Sequence, residues 1–168
     1  MPAKDIVANR QGGFFLIEAM VAILIFALGI LGLVALGGAA VAAQSDAQYR
    51  TEASSLADAI AAEMAVNLDR TDETTKFPSL AQFSHHPTTD GYCAFSGTPV
   101  ASNAIVKGII DRAGNAASGV AGLPGATTAM QQVLVAPAGV YDRVEITLCW
   151  KTPTDAAPRK HTLVTYIN

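Results

Sequence analysis

The chain has 168 residues, enough for one modest domain plus an appendage. Hydrophobic residues make up 51% of it, and most of that excess lies in one N-terminal run. The formal net charge of −3, with no cluster of Lys or Arg, argues against a nucleic-acid surface.

Residues 1–12 are polar, without periodicity, and carry Lys4, Asp5 and Arg10. They read as a targeting segment rather than part of the fold. From Phe14 to Ala43 the residues are almost all Ala, Leu, Ile, Val, Phe, Met and Gly, and the one charge is Glu18. About 20 apolar residues suffice to cross a bilayer as a helix, so this run is predicted to be a membrane helix. Lys4 and Arg10 place its N-terminal side in the cytoplasm and everything after Ala43 across the membrane. A carboxylate in such a helix costs about 2.5–3.5 kcal/mol at mid-membrane and less near its end. The run offers Glu18 no partner, so one must come from another chain, from lipid headgroups or from a charge created by processing.

Two simpler explanations compete. A plain anchor accounts for the length and leaves Glu18 unexplained. A secretory signal could be cut after Ala40-Val41-Ala42, but its apolar core would span about 7–15 residues, far fewer than here.

Gly13 followed by Phe14-Phe15-Leu16-Ile17-Glu18 resembles the prepilin motif of type IV pilins and type II secretion pseudopilins. The resemblance implies cleavage between Gly13 and Phe14 by a prepilin peptidase and N-methylation of Phe14. It also implies that Glu18 meets the N-terminal amine of a neighbouring subunit during assembly. Loss of residues 1–13 would remove two positive charges and one negative, taking the formal net charge from −3 to −4.

Within the apolar run, Ala35, Ala39, Ala43 and Ala47 recur beside Gly38 and Ala42, a spacing that lets helices approach closely in lipid. Gly29, Gly32, Gly37 and Gly38 each weaken a helix by about 1 kcal/mol relative to Ala. Many major pilins carry a proline in the corresponding stretch; glycines here fit a minor subunit better.

After Ala43 the helix becomes amphipathic. Tyr49, Ala53, Leu56, Ile60, Met64 and Leu68 form a stripe, and Asp46 can pair with Arg50 one turn on. Residues 67–90 contain Thr, Asp, Pro78 and His85-His86-Pro87 and are predicted to be a long surface loop. The His pair with distant His161 makes a poor metal site, since adjacent side chains rarely converge. Tyr92 to Phe95 is expected to be a short strand or a loop pinned by Cys93. Ile105, Val106, Ile109, Ile110 and Ala113 predict a helix over 102–117, followed by a turn-rich connector over 119–128 containing Leu123-Pro124-Gly125.

The clearest strand covers 140–152, where Val144, Ile146, Leu148 and Trp150 alternate with Arg143, Glu145, Thr147 and Cys149. Residues 130–136 and 161–167 are flanking strands, with turns at Pro137-Ala138-Gly139 and 153–158. Cys93 and Cys149, both in the exported portion, are expected to form a disulfide, with two buried free thiols as the alternative. The closed loop of about 57 residues corresponds to about 4 kcal/mol on the chain-entropy account.

The expected fold is α+β, a type IV pilin-like layout in which a long N-terminal helix packs on a small antiparallel sheet. Its segments are a leader over 1–13, a transmembrane or filament-core helix over 14–43, an amphipathic half over 44–68 and a periplasmic globular part over 69–168. Gly29-Ile30-Leu31-Gly32-Leu33, the Leu123-Pro124-Gly125 turn and the strand ending Leu148-Cys149-Trp150 are similar to PilV-type minor pilins. The resemblance implies a structural subunit held in the inner membrane before assembly. Its partners would be other minor pilins, the major pilin, the prepilin peptidase, the inner-membrane assembly machinery and membrane lipid. No cofactor, metal, nucleic acid or catalytic residue is expected; no nucleophile elbow or phosphate loop is visible. A minor pseudopilin of a type II secretion system and an anchored exported enzyme are the alternatives.

Overall fold

The computed structural model describes residues 12–100, 103–114, 122–136 and 143–167. The chain is α+β. It divides into two compact units, residues 1–45 and 46–168, and helix α1 (Gly12–Asn67) contributes to both.

In the second unit the amphipathic stripe behaves as its spacing predicts. Ala53, Leu56, Ile60 and Met64 are completely buried, Leu68 nearly so, and Tyr49 packs at the edge of the same core. Three strands face it: β3 (Gln131–Val135), β4 (Arg143–Trp150) and β5 (Arg159–Tyr166), antiparallel in the order β3-β4-β5. Val144, Ile146, Leu148 and Trp150 of β4 are all fully buried in the core that the helix lines. The predicted strand termini at 140–142 and the Pro137-Ala138-Gly139 turn lie outside the described residues.

The opposite face of β4 is also covered at its C-terminal end. A hairpin of β1 (Thr88–Gly91) and β2 (Ala94–Ser96) is tied to it by the Cys93–Cys149 disulfide, with Cα atoms 5.9 Å apart. Cys93 sits in the hairpin turn at φ 56°, a left-handed conformation that a non-glycine residue adopts only when its surroundings hold it there. With Phe95 and Met130 it forms a second small apolar cluster around Cys149.

Gln131 completes this end of the sheet. It pairs with Leu148 at the start of β3, one residue short of reaching Cys149. Its buried amide fills the gap: Cys149 N–H donates to Oε1 at 3.1 Å, and Nε2 donates to the Cys149 carbonyl at 3.0 Å. Leaving either backbone group buried and unpaired would cost about 1–3 kcal/mol.

Helix α3 (Ala104–Gly114) matches the predicted helical spacing, and the ends of the predicted 102–117 span lie outside the described residues. Asn103 caps it by accepting the Ile105 and Val106 N–H groups, each at 2.9 Å. Val106, Ile110 and Ala113 enter the core. The Leu123-Pro124-Gly125 turn docks on the end of β4, where Lys151 N–H donates to the Pro124 carbonyl. Gly125 is required there: its φ is +58°, and an added Cβ would stand 2.2 Å from the Lys151 carbonyl oxygen.

The expectation of a structureless loop over 67–90 is corrected. Residues Glu73–Ala81 form helix α2 despite Pro78 inside it. Proline removes one internal hydrogen bond, but buried Leu80 and Phe83 anchor the segment. Ser79 Oγ accepts the Asp69 N–H, which fixes the chain entering the helix.

His85 is likewise no surface residue; it is 3% exposed. Its backbone exchanges two hydrogen bonds with Val133. The ring Nδ1 accepts the Val100 N–H, and Nε2 faces the Thr128 carbonyl. These partners fix one neutral tautomer, with the proton on Nε2.

Burial, reinforced by nearby His86 and Lys107 against the opposing Thr128 carbonyl and Asp111, lowers the His85 pKa below the ordinary 6.5. The unfolded chain therefore takes up a proton first, so stability is full above about pH 6.5 and declines as the pH falls below it. His85→Ala should lower stability by about 1–3 kcal/mol at pH 7.5 by orphaning the Val100 N–H. It should also flatten the change in urea midpoint between pH 7.5 and 5.5, measured on the full chain in detergent.

Candidate functional site

The first unit carries the residues that the sequence singles out. Every described side chain from Phe14 to Gln44 is exposed except Ala19, which is half-buried. Phe14 is 80% exposed and Leu33 70%. The apolar run is about 45 Å long at 1.5 Å per residue, more than a hydrocarbon core of about 30 Å requires. This helix is long and apolar enough to span a membrane.

Glycines in a helix are often explained by tight packing within the chain. That explanation fails for Gly29, Gly32, Gly37 and Gly38, where an added Cβ would meet nothing within 4 Å. Their small size serves no internal contact among the described residues.

Helix α1 begins at Gly12, so Gly13 and Phe14 both lie in its first turn. Phe14 and Glu18 are four residues apart and share one face. Glu18 is exposed on an apolar surface, and among the described residues it has no ion-pair or hydrogen-bond partner. The Gly13–Phe14 junction and the Glu18 carboxylate are therefore neighbours along one helical turn.

The two predicted cysteines are brought together as a disulfide in the other unit. His161 is not gathered with His85 and His86: among the described residues no three His, Cys, Asp or Glu side chains form a metal-binding cluster.

One cluster of charges extends well beyond the Asp46–Arg50 pair that the helical spacing predicts. Arg159, at the start of β5, donates from Nη1 to Asp46 on α1, 113 residues away. It also grips Asp155 through Nη2 at 2.7 Å and Nε at 3.0 Å. Asp46 accepts in addition from Arg50 Nε at 3.1 Å, as the i,i+4 spacing predicts. The second oxygen of Asp155 accepts the Thr152 hydroxyl and N–H at 2.8 and 3.0 Å. This chain of contacts joins the helix, the 153–158 turn and the sheet edge. The Asp46–Arg50 and Asp155–Arg159 pairs are each four residues apart and local in the sequence, but nothing there marks the long-range contact that joins Arg159 to Asp46.

Comparison of the chain with protein families, with curated proteins and with solved structures found no match.

The Arg159 and Thr152 contacts hold the Asp155 carboxyl down to about 2, below its ordinary 3.8. Its contribution is thus present above the ordinary value and lost as the pH falls from about 4 through about 2. Asp155→Asn should reduce, without abolishing, the acid-induced fall in unfolding temperature over that window, since Asp46 and Asp69 are also lowered, and should lower stability at neutral pH. Amides of Arg159 to His161 should then exchange faster, as read by hydrogen exchange of the full chain.

Proposed function

We propose that this chain is a minor pilin, a PilV-type structural subunit of a type IV pilus in a Gram-negative cell. The observation that carries the reading is Glu18: a carboxylate with no partner among the described residues, on an exposed apolar helix, one turn after a Gly13–Phe14 junction. A buried anion needs a cation, and cleavage after Gly13 would create one at Phe14. In a filament, Glu18 of one subunit would meet the terminal amine of its neighbour.

In this reading the leader stays cytoplasmic, α1 is stored in the inner membrane and the disulfide-bonded unit lies in the periplasm. A prepilin peptidase trims the chain, and the assembly machinery extracts the helix into a growing pilus. Exposed apolar side chains then exchange lipid for neighbouring helices, which supplies cohesion, while the Glu18–amine pair sets register. The four glycines support close approach of those neighbours, since an added Cβ at any of them would meet nothing within 4 Å among the described residues. The soluble unit would select which minor and major pilins the subunit meets, and pilus-dependent adhesion and motility would follow from assembly.

Intact mass and N-terminal sequencing of protein from native membranes should find Phe14 at the terminus, carrying one extra methyl group. A terminus after Ala42 would overturn the reading. Glu18→Ala should leave that processing intact and lower incorporation into sheared filaments about tenfold to hundredfold, as expected for a lost charge-assisted contact of about 1.5–3 kcal/mol. Loss of secreted enzymes, with surface pili unchanged in a deletion strain, would assign the chain to a secretion pseudopilus instead.

A further inference from the structure

The three-stranded sheet is finished on one side and open on the other. The outer edge of β3 is engaged by the backbone of His85 at Val133. Strand β5 pairs with β4 along all eight of its residues without a register shift, and among the described residues nothing pairs with its other edge. It contains no proline to blunt that edge.

Burial shows the same incompleteness. The residues of β4 that face the helix are fully buried, whereas their β5 partners Thr165, Leu163 and His161 are only half-buried. Beside them runs a groove of about 480 Å³, lined by Arg50, Thr51, Ser54, Ser55 and Asp58 of α1 and by Lys160 and His161 of β5. The helix thus covers β3 and β4 and leaves a trough under the free edge of β5.

We propose that this trough and edge receive an extended segment of another exported protein, which adds to the sheet as a fourth strand beside β5. Backbone groups of β5 would supply the hydrogen bonds, as in other strand-addition complexes. Side chains of the incoming strand alternate between two environments. One set would enter the trough, among hydroxyls of Thr51, Ser54 and Ser55. The other would lie beside Thr162, Val164 and Tyr166 on the outer face, where Val164 and Tyr166 are exposed.

Charge selects the occupant. Arg50 spends one donor on Asp46 and has others for an incoming group, and Lys160 adds a second cation to the trough, against the single carboxylate of Asp58. The incoming segment should therefore carry a carboxylate there. A second copy of β5 would offer Arg159, His161, Leu163 and Thr165 on that face, which adds the Arg159 cation where an anion is needed. This inference uses only the soluble unit and holds whether the assembly is a pilus or a secretion pseudopilus.

The test is site-specific photo-crosslinking with p-benzoylphenylalanine in place of Thr162, in the full chain in its own cells. The expected adduct joins Thr162 to an extended segment of a different exported protein, with an Asp or Glu within two residues of the attachment point. Arg50→Glu should reduce its yield about tenfold, and Arg50→Lys should largely preserve it. Ser55→Trp, which fills the trough without changing charge, should also abolish it. An intact Cys93–Cys149 disulfide on a non-reducing gel reports folding in each variant. Adducts to a second copy of β5, adducts to lipid, no adduct at all, or a yield indifferent to both trough variants would each overturn the proposal. Because this readout needs no filament, its failure is distinguishable from failure of the Glu18 experiment.

Discussion

A helix that leaves nearly every side chain from Phe14 to Gln44 uncovered demands apolar surroundings that the chain does not itself provide. An exposed apolar surface of this extent is far beyond what a monomer keeps in water. Lipid can cover it, and so can other helices of the same kind. The second unit, by contrast, buries an apolar core of its own. Lipid cannot neutralise Glu18 in a fixed position, whereas a neighbouring chain can.

The second unit closes its core with few residues. A single helical stripe and three strands bury one core, and two devices close the places where the sheet would otherwise fray. Gln131 replaces the missing backbone partner of Cys149 with a side-chain amide. The disulfide presses a short hairpin on the far side of the same residue. Both act at the C-terminal end of β4, so the strand at the centre of the sheet is the best-defined part of the unit. At the opposite extreme, β5 is held on one side only, and its first residue is secured by carboxylates rather than by burial.

Periodic features were legible in the sequence and pairwise ones were not. The stripe from Tyr49 to Leu68 and the alternation from Val144 to Trp150 repeat, so each residue is evidence for the next. The disulfide followed from the expected compartment, with only two cysteines to join. By contrast, α2 is interrupted by Pro78 and depends on Leu80 and Phe83 reaching the core, which no local pattern announces. His85 looks polar and solvent-facing beside His86 and Pro87; its burial depends on Val100, Thr128 and Val133. Arg159 and Asp46 are separated by most of the soluble unit. The prepilin-like residues are a different case: Gly13, Phe14 and Glu18 are readable because their chemistry is local to one helical turn, while the contact that would give them meaning lies in another molecule.

The disulfide also has a mechanical consequence. Cys93 and Cys149 are 56 residues apart in sequence, and their link shortcuts the chain between them. If the chain were pulled from its helix and from its C-terminal end, that stretch could not pay out. At about 3.5 Å per extended residue, roughly 190 Å of contour length is withheld. Extension would be confined to the segments flanking the link, 68–92 and 150–168, and the sheet's central strand would stay bound to the hairpin even after the core had opened. The bond therefore sets an upper limit on how far the chain can lengthen under load, apart from whatever it adds to stability at rest.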